Sequence, residues 1–369
     1  MWIAGLDPYS ASFAKAGADI LPRDAVVVAY PPNWWIISAG LGALKVRWAI
    51  LSWKLLNLAG AGIAGLLFLR SAKRIQAAVS PWLSSLFLVC LFASDAMANG
   101  MRLGQTSVVV LLGLALLVDG LTAERSARQS FGLSLLLLKP QIGLLFLLLL
   151  LTRPRTRAAA LVACAITVAS CLPVLFTLGP AGTLASARNF FGDLAFYASL
   201  QLNWPIYMSG LPFLLASAGL RISPFLALLA AWLIAEVALR RRTNADPRRF
   251  AAEYWLVSVS ALVAIVPLHF YDFVLFFPCL LLLPSLRSAT SRNLLLFCAV
   301  LAWSANDLAR ALYLHSGGTL DAFWTATRFK SGLLTAGAMA ALAAALRHLK
   351  DRSPTTAASS PEAATYRAA

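Results

Sequence analysis

The chain has 369 residues, 60% of them hydrophobic and only 12% charged, with a mean hydropathy of +0.76. That leaves too little polar surface for a soluble protein of this size, so the composition calls for an all-α polytopic membrane protein. The net charge of +16 does not point to nucleic acid, because Lys and Arg fall in short clusters between apolar runs, as in the cytoplasmic loops of membrane proteins.

The opening "MWIAGLDPYSASFAKAGADILPRD" has no basic stretch followed by an apolar one, so it does not read as a cleavable signal peptide. Residues 1–47 are predicted to form an outer loop and an interfacial helix of a single membrane domain covering 1–350. Apolar runs able to enter a bilayer follow at Trp48–Leu69, Pro81–Phe92, Gln105–Val118, Phe131–Leu151 and Ala158–Leu178. Further runs cover Ser223–Leu239, Tyr254–Leu268, Tyr271–Leu286, Asn293–Leu308 and Leu333–Leu346, with a shorter candidate at Pro205–Leu220. The five cysteines, Cys90, Cys164, Cys171, Cys279 and Cys298, all lie in such runs and read as small hydrophobes. The Ala/Ser/Thr/Pro-rich tail, 351–369, is expected to be disordered and cytoplasmic.

Charge placement sets the topology. The clusters Arg70/Lys73/Arg74, Arg125/Arg128, Arg153/Arg155/Arg157, Arg240 to Arg249, Arg287/Arg292 and Arg347/Lys350/Arg352 belong on the cytoplasmic side. A straight helix over Phe131–Leu151 would put one cluster on the wrong side, but Lys139-Pro140 interrupts it. The spacing therefore predicts two half-helices folded into a hairpin with Lys139 near its tip. The opposite face then collects Met1–Trp35, Ala93–Gly104, the Lys139 tip, Gly179–Trp204, the corner at His269 and Arg310–Lys330. Function is expected on that face.

Ionisable groups within apolar runs are costly and mark candidate sites. His269, Tyr271 and Asp272 sit in "VPLHFYDFVLFFPCL", where an interfacial helix end is the competing structural explanation. Lys139 and Gln141 in "LLLLKPQIG" suit a phosphate ligand beside a half-helix end, against simple snorkelling of the lysine to the interface. "MRLGQT", with Arg102, Gly104 and Gln105, offers a second polar helix entry. "GLDPYS" holds Asp7 and Tyr9 in a turn, and "AYPPNWW" brings Tyr30, Trp34 and Trp35 to the membrane surface.

The order G-x-D-P-Y, Y-P-P, G-Q at a helix start, K-P-Q in a Leu-rich run and H-x-Y-D late in the chain resembles glycosyltransferase family 87 over roughly Gly5–Leu286. These are membrane enzymes of the GT-C fold, among them polyprenyl-phosphate-mannose-dependent mannosyltransferases. The resemblance implies inverting transfer of a hexose, with mannose expected, from a polyprenyl-phosphate donor to a glycolipid or glycan acceptor at the non-cytoplasmic face of a bacterial inner membrane. It implies a carboxylate base, for which Asp7, His269 and Asp272 form the candidate catalytic set. Lys139, Gln105 and Gln141 would hold the donor phosphate, and Tyr9, Tyr30, Trp34 and Tyr271 would shape the sugar and acceptor pocket. No cofactor is implied, and no metal is required because the leaving group is already a phosphate.

Family members carry a first transmembrane helix and an acidic loop residue ahead of the G-x-D-P-Y turn, whereas this chain starts four residues before it. Three readings stay open: a start assigned too late, Asp7 serving as base, or an inactive membrane subunit. A late start is the expectation. A transporter of polyprenyl-linked sugar is the rival class, and it would place polar groups toward both faces.

Overall fold

The computed structural model describes residues 31–76, 79–240 and 246–351. Asp7, Tyr9, Tyr30, Arg241, Arg242 and the tail from Arg352 onward lie outside the described residues. Among those described, no strand forms, and one isolated antiparallel bridge joins Ser209 to Leu268. In hydrocarbon the backbone must satisfy its own hydrogen bonds, and helices do this within one segment.

A 3₁₀ turn, Pro32–Trp34, leads into α1 (Trp35–Gly42). Next come α2 (Val46–Ile75), α3 (Pro81–Phe92), α4 (Asp95–Arg102), α5 (Ser107–Thr122), α6 (Ser126–Leu136), α7 (Pro140–Leu151) and α8 (Pro154–Ser199). The chain continues through α9 (Leu211–Ser217), α10 (Pro224–Arg240), α11 (Pro247–Ile265), two 3₁₀ segments (Phe270–Leu275 and Phe277–Ser285), α12 (Ala289–His315) and α13 (Leu320–Asp351). Five stretches are long and apolar enough to cross a membrane: α2, the run Pro81–Arg102, α8, α12 and α13. The protein is an all-α, multi-pass membrane protein.

The predicted break at Lys139-Pro140 is present. Lys139 leaves the helical region (φ −116, ψ 90) between α6 and α7, and Pro140 occupies the first position of α7, where its missing N–H costs nothing. Eleven residues of α6 rise about 16 Å, about half the thickness of a hydrocarbon layer of about 30 Å. Both feet of the hairpin stand together, since Ser126 and Gln129 of α6 line one cavity with Arg153 and Arg155. Beside that cavity the buried Asp119 of α5 pairs with Arg74 at 2.6 Å, with Arg70 at 3.8 Å and with Arg128. The basic clusters of α2 and α6 therefore meet at one end of the bundle, as the charge arithmetic requires.

Three elements differ from the sequence reading. Pro205–Leu220 is not a span but a short 3₁₀ turn followed by the seven-residue α9. The expected loop at Gly179–Trp204 is largely helix, because Gly179 takes a left-handed conformation (φ 68, ψ 173), Pro180 starts a new helical run after it, and the helix continues to Ser199. Tyr271–Leu286 is 3₁₀ rather than α. At about 2.0 Å per residue its sixteen residues, 270–285, reach about 32 Å instead of the 24 Å or so of an α-helix, enough to match the hydrocarbon thickness.

The 3₁₀ segments and α11 form the centre of the bundle. Residues 254–266 and 270–283 are buried throughout, and Trp255 stacks on Phe68 of α2 at 5.1 Å. Lipid tails give apolar side chains little reason to prefer protein, so close backbone approach carries much of the helix association. A Cβ on Gly132 of α6 would lie 2.5 Å from Leu117 N of α5. One on Gly143 of α7 would lie 2.6 Å from the carbonyl carbon and oxygen of Leu136. The hairpin closes only because residue 143 has no side chain.

Gly143→Ala should lower the melting temperature of the detergent-solubilised protein by an amount corresponding to about 1–3 kcal/mol, the usual cost of overpacking. Gly62→Ala, with nothing within 4 Å of the added Cβ, should leave it unchanged or raised. Equal melting curves for the two variants would show that the hairpin contact is not under this constraint.

Candidate functional site

The tip of the hairpin is capped from outside. Leu137 and Leu138 end α6 with carbonyls that have no helical partner, a serious cost at membrane depth. The indole N–H of Trp34 donates to the Leu138 carbonyl at 3.0 Å, and the Asn33 amide reaches that of Leu137 at 3.5 Å. Trp34 is buried and meets Trp53 edge-on at 6.1 Å. The "PPNWW" segment, Pro31–Trp35, thus fastens the first turn to the tip, and the Trp34 ring is occupied in doing so.

Lys139 points into the bundle and is 5% exposed, while Asp272 is 1% exposed. Its Nζ lies 2.6 Å from Asp272 Oδ1 and 3.2 Å from Ser107 Oγ, and the Ser107 hydroxyl donates to the same Oδ1 at 2.7 Å. The ammonium also stands 4.9 Å from the centre of the Tyr271 ring, a cation–π distance. Tyr271 stacks on His269 with ring centroids 5.2 Å apart. His269 is half-buried, and Asp272, Lys139 and Lys330 all lie near enough to act on its charge. Tyr197, in the second part of α8, lies near Tyr271 and Asp272.

Local structure explains how these groups meet. α4 ends in a Schellman turn, with Gly104 at φ 66 and Gln105 N–H donating to Gly100 O at 2.8 Å, and the chain re-enters as α5 with Ser107 as its first residue. Ser107 is therefore fixed at the polar mouth of an otherwise apolar helix. Asp272 is fixed by the 3₁₀ turn, whose first hydrogen bond runs from Asp272 N–H to His269 O at 2.9 Å. That turn packs on α4 at Gly100, where a Cβ would make ordinary contact with Tyr271 Cβ at 3.7 Å.

On the other side of the 3₁₀ turn lies a polar cavity of about 490 Å³. α4 presents Asp95, Asn99 and Arg102 to it, α12 presents Asn306, Arg310 and Tyr313, and α13 presents Phe323, Thr327 and Lys330. Each set is spaced i, i+4, i+7, so three helices each turn one polar face to the same space. Asp95 is positioned by the Asn306 amide, which donates to its Oδ2 at 2.7 Å. Lys330 lies 5.4 Å from the Phe270 ring, which links this cavity to the His269 corner.

Of the residues singled out in the sequence, the structure brings together Lys139, His269, Tyr271 and Asp272. Gln105 is half-buried two residues before Ser107, Trp34 caps the tip, and Gln141 is exposed. Asp7, Tyr9 and Tyr30 lie outside the described residues. Sequence reasoning missed Ser107, Tyr197, Asp95, Asn306 and Lys330. The i, i+4, i+7 spacing of Asp95, Asn99 and Arg102 was readable in principle, whereas Ser107 is an ordinary helix start until Asp272 is placed beside it. Among the described residues no group of three His, Cys, Asp or Glu side chains converges as a metal site.

Short and broken helices thus gather Lys139, His269, Tyr271 and Asp272 around one re-entrant tip. Residues 29–267 match the model of glycosyltransferase family 87, well over half of the chain, and the protein belongs to that family. The matched stretch includes the Y-P-P, G-Q and K-P-Q motifs and stops two residues short of His269. Comparison with curated proteins and with solved structures finds no match.

The buried pair supports a direct test of stability. Removing one partner leaves a buried charge, so Lys139→Met should destabilise by about 3–5 kcal/mol and Asp272→Asn by a smaller or similar amount. The double variant should cost clearly less than the sum of the two. Additive losses in denaturant or thermal unfolding would mean that the two charges are not coupled.

Proposed function

We propose that this glycosyltransferase moves a hexose, most simply mannose, from a polyprenyl-phosphate donor to a hydroxyl of a glycolipid or glycan acceptor, at the non-cytoplasmic face of a bacterial inner membrane. In this reading the helices adopt the GT-C arrangement. The observation that carries it is the buried Lys139 at a re-entrant tip, tied to Asp272 and separated by one 3₁₀ turn from a cavity lined with carboxylate, amide, cationic and aromatic groups. Family membership favours a transferase over a carrier of the same lipid.

In inverting transfer the acceptor oxygen attacks the anomeric carbon, the glycosyl–phosphate bond breaks, the bonding pair leaves on the polyprenyl phosphate, and the acceptor proton passes to a base. Lys330 and the Asp272-paired Lys139 both lie near His269, and their ammonium groups suit the phosphate as it gains negative charge. Asp272 and Ser107 hold Lys139 in place in the absence of donor. Asp95 is the base we favour among the described carboxylates. It faces a cavity wide enough for a sugar, and the Asn306 amide holds one of its oxygens. Asn99, Arg102 and Tyr313 supply the mixed donors and the aromatic face that hydroxyl-rich substrates require.

Transfer from a radiolabelled polyprenyl-phosphate hexose, assayed with the protein in membranes, tests these roles. Asp95→Asn should lower kcat about 10²–10⁴-fold, the range for loss of a general base, while leaving the melting temperature unchanged. Lys139→Arg should keep part of the donor affinity that Lys139→Ala loses, because the charge survives with altered geometry. Full activity in Asp95→Asn together with none in Asp7→Asn would move the base to Asp7.

A further inference from the structure

At the basic end of the bundle, a second cavity of about 630 Å³ lies between the end of α2, the start of α11, the second 3₁₀ segment and the end of α13. α5 measures its separation from the candidate site. Ser107 at one end touches Asp272, and Asp119, twelve residues or about 18 Å further on, pairs with Arg74 of this cavity. Lys73, Arg74, Arg248, Arg249 and His348 line it.

The charges do not balance. Arg74 shares the buried Asp119 with Arg70 and Arg128, and Arg249 Nε lies 3.1 Å from Glu253 Oε1. Asp246, the one acidic side chain in the lining, caps α11 by accepting from Arg249 N–H at 3.0 Å. Lys73 and Arg248 form no ion pair with another described residue, and both are exposed at the cavity. Two unneutralised cations next to a row of paired ones make a field that selects an anion.

Apart from Ser285, the remaining lining is apolar: Ile75, Ala252, Leu256 and Leu282, the last two almost fully buried. A free inorganic anion gains nothing from such a wall, whereas a phosphate attached to hydrocarbon is matched by both halves of the site. Basic pockets between membrane helices have this character where they hold lipid headgroups. We propose that this cavity binds the phosphodiester headgroup of an anionic phospholipid, with Lys73 and Arg248 as its principal ligands and the partly exposed Ile75 and Ala252 against its glycerol and upper acyl chain.

The test uses the full chain, purified in neutral detergent and followed by thermal unfolding while phosphatidylglycerol, phosphatidylcholine or inorganic phosphate is added. Phosphatidylglycerol should raise the melting temperature saturably, and the other two should not at matched concentration. The variant Lys73→Gln/Arg248→Gln should bind phosphatidylglycerol about thirtyfold more weakly, the effect of two juxtamembrane charges. Lys73→Arg/Arg248→Lys, which keeps both charges, should retain most of the response and shows that any loss is not misfolding. An equal response to phosphatidylcholine, or an unchanged response in the glutamine variant, overturns the proposal. A response to inorganic phosphate that equals the lipid's would make the site one for free phosphate and overturn the lipid assignment.

Discussion

Lys139 and Asp272 come from segments 133 residues apart and meet at 2.6 Å where neither can reach bulk water. Burying each ion alone would cost several kcal/mol, and the cost is offset only if geometry and further hydrogen bonds are supplied. Much of the surrounding structure supplies them. Ser107 at the start of α5 adds a donor to the shared carboxylate oxygen, Tyr271 places its ring face against the ammonium, and Trp34 and Asn33 cap the carbonyls that the broken hairpin leaves open. Without the pair, the hairpin tip and the 3₁₀ turn would lose their reason to meet at the centre of the bundle.

The other end of the bundle solves a related problem differently. Asp119 is as buried as Asp272, but three arginines share it, all of them at least partly exposed. One carboxylate among three guanidiniums leaves net positive charge, which solvent or anionic headgroups can answer at a membrane surface. At the tip a single ammonium faces a single carboxylate, so the local charge is near zero until a phosphate arrives. The two ends of α5 thus hold two kinds of buried carboxylate, one anchoring basic loops and the other holding a lysine in place.

Much of this was legible in the sequence where one force dominated. Apolar runs marked α2, α3, α10 and α12 because hydrocarbon permits little else, and the hairpin followed from Lys139-Pro140 with basic clusters at both ends. The pairing of Lys139 with Asp272 was not legible, since no charge pattern along the chain links positions 139 and 272. The helix from Pro180 to Ser199 was missed for a different reason. It begins at a glycine-proline break and carries Arg188 and Asp193, so hydropathy alone reads it as loop.

The 3₁₀ segment at 270–285 shows how a local constraint becomes a functional one. A tighter helix places residues i and i+3 on the same edge, whereas an α-helix would rotate them by about 60° relative to each other. His269 precedes that winding in an extended conformation (φ −80, ψ 156); its carbonyl accepts the Asp272 N–H at 2.9 Å, and its imidazole stacks on Tyr271, whose ring faces the Lys139 ammonium. Pro278, in the same buried run, and Pro284, just beyond it, lack the N–H that a continuous helix would use. The backbone that brings the site together is thus the stretch where a continuous α-helix is hardest to maintain, in keeping with the tendency of short 3₁₀ runs to mark functional turns.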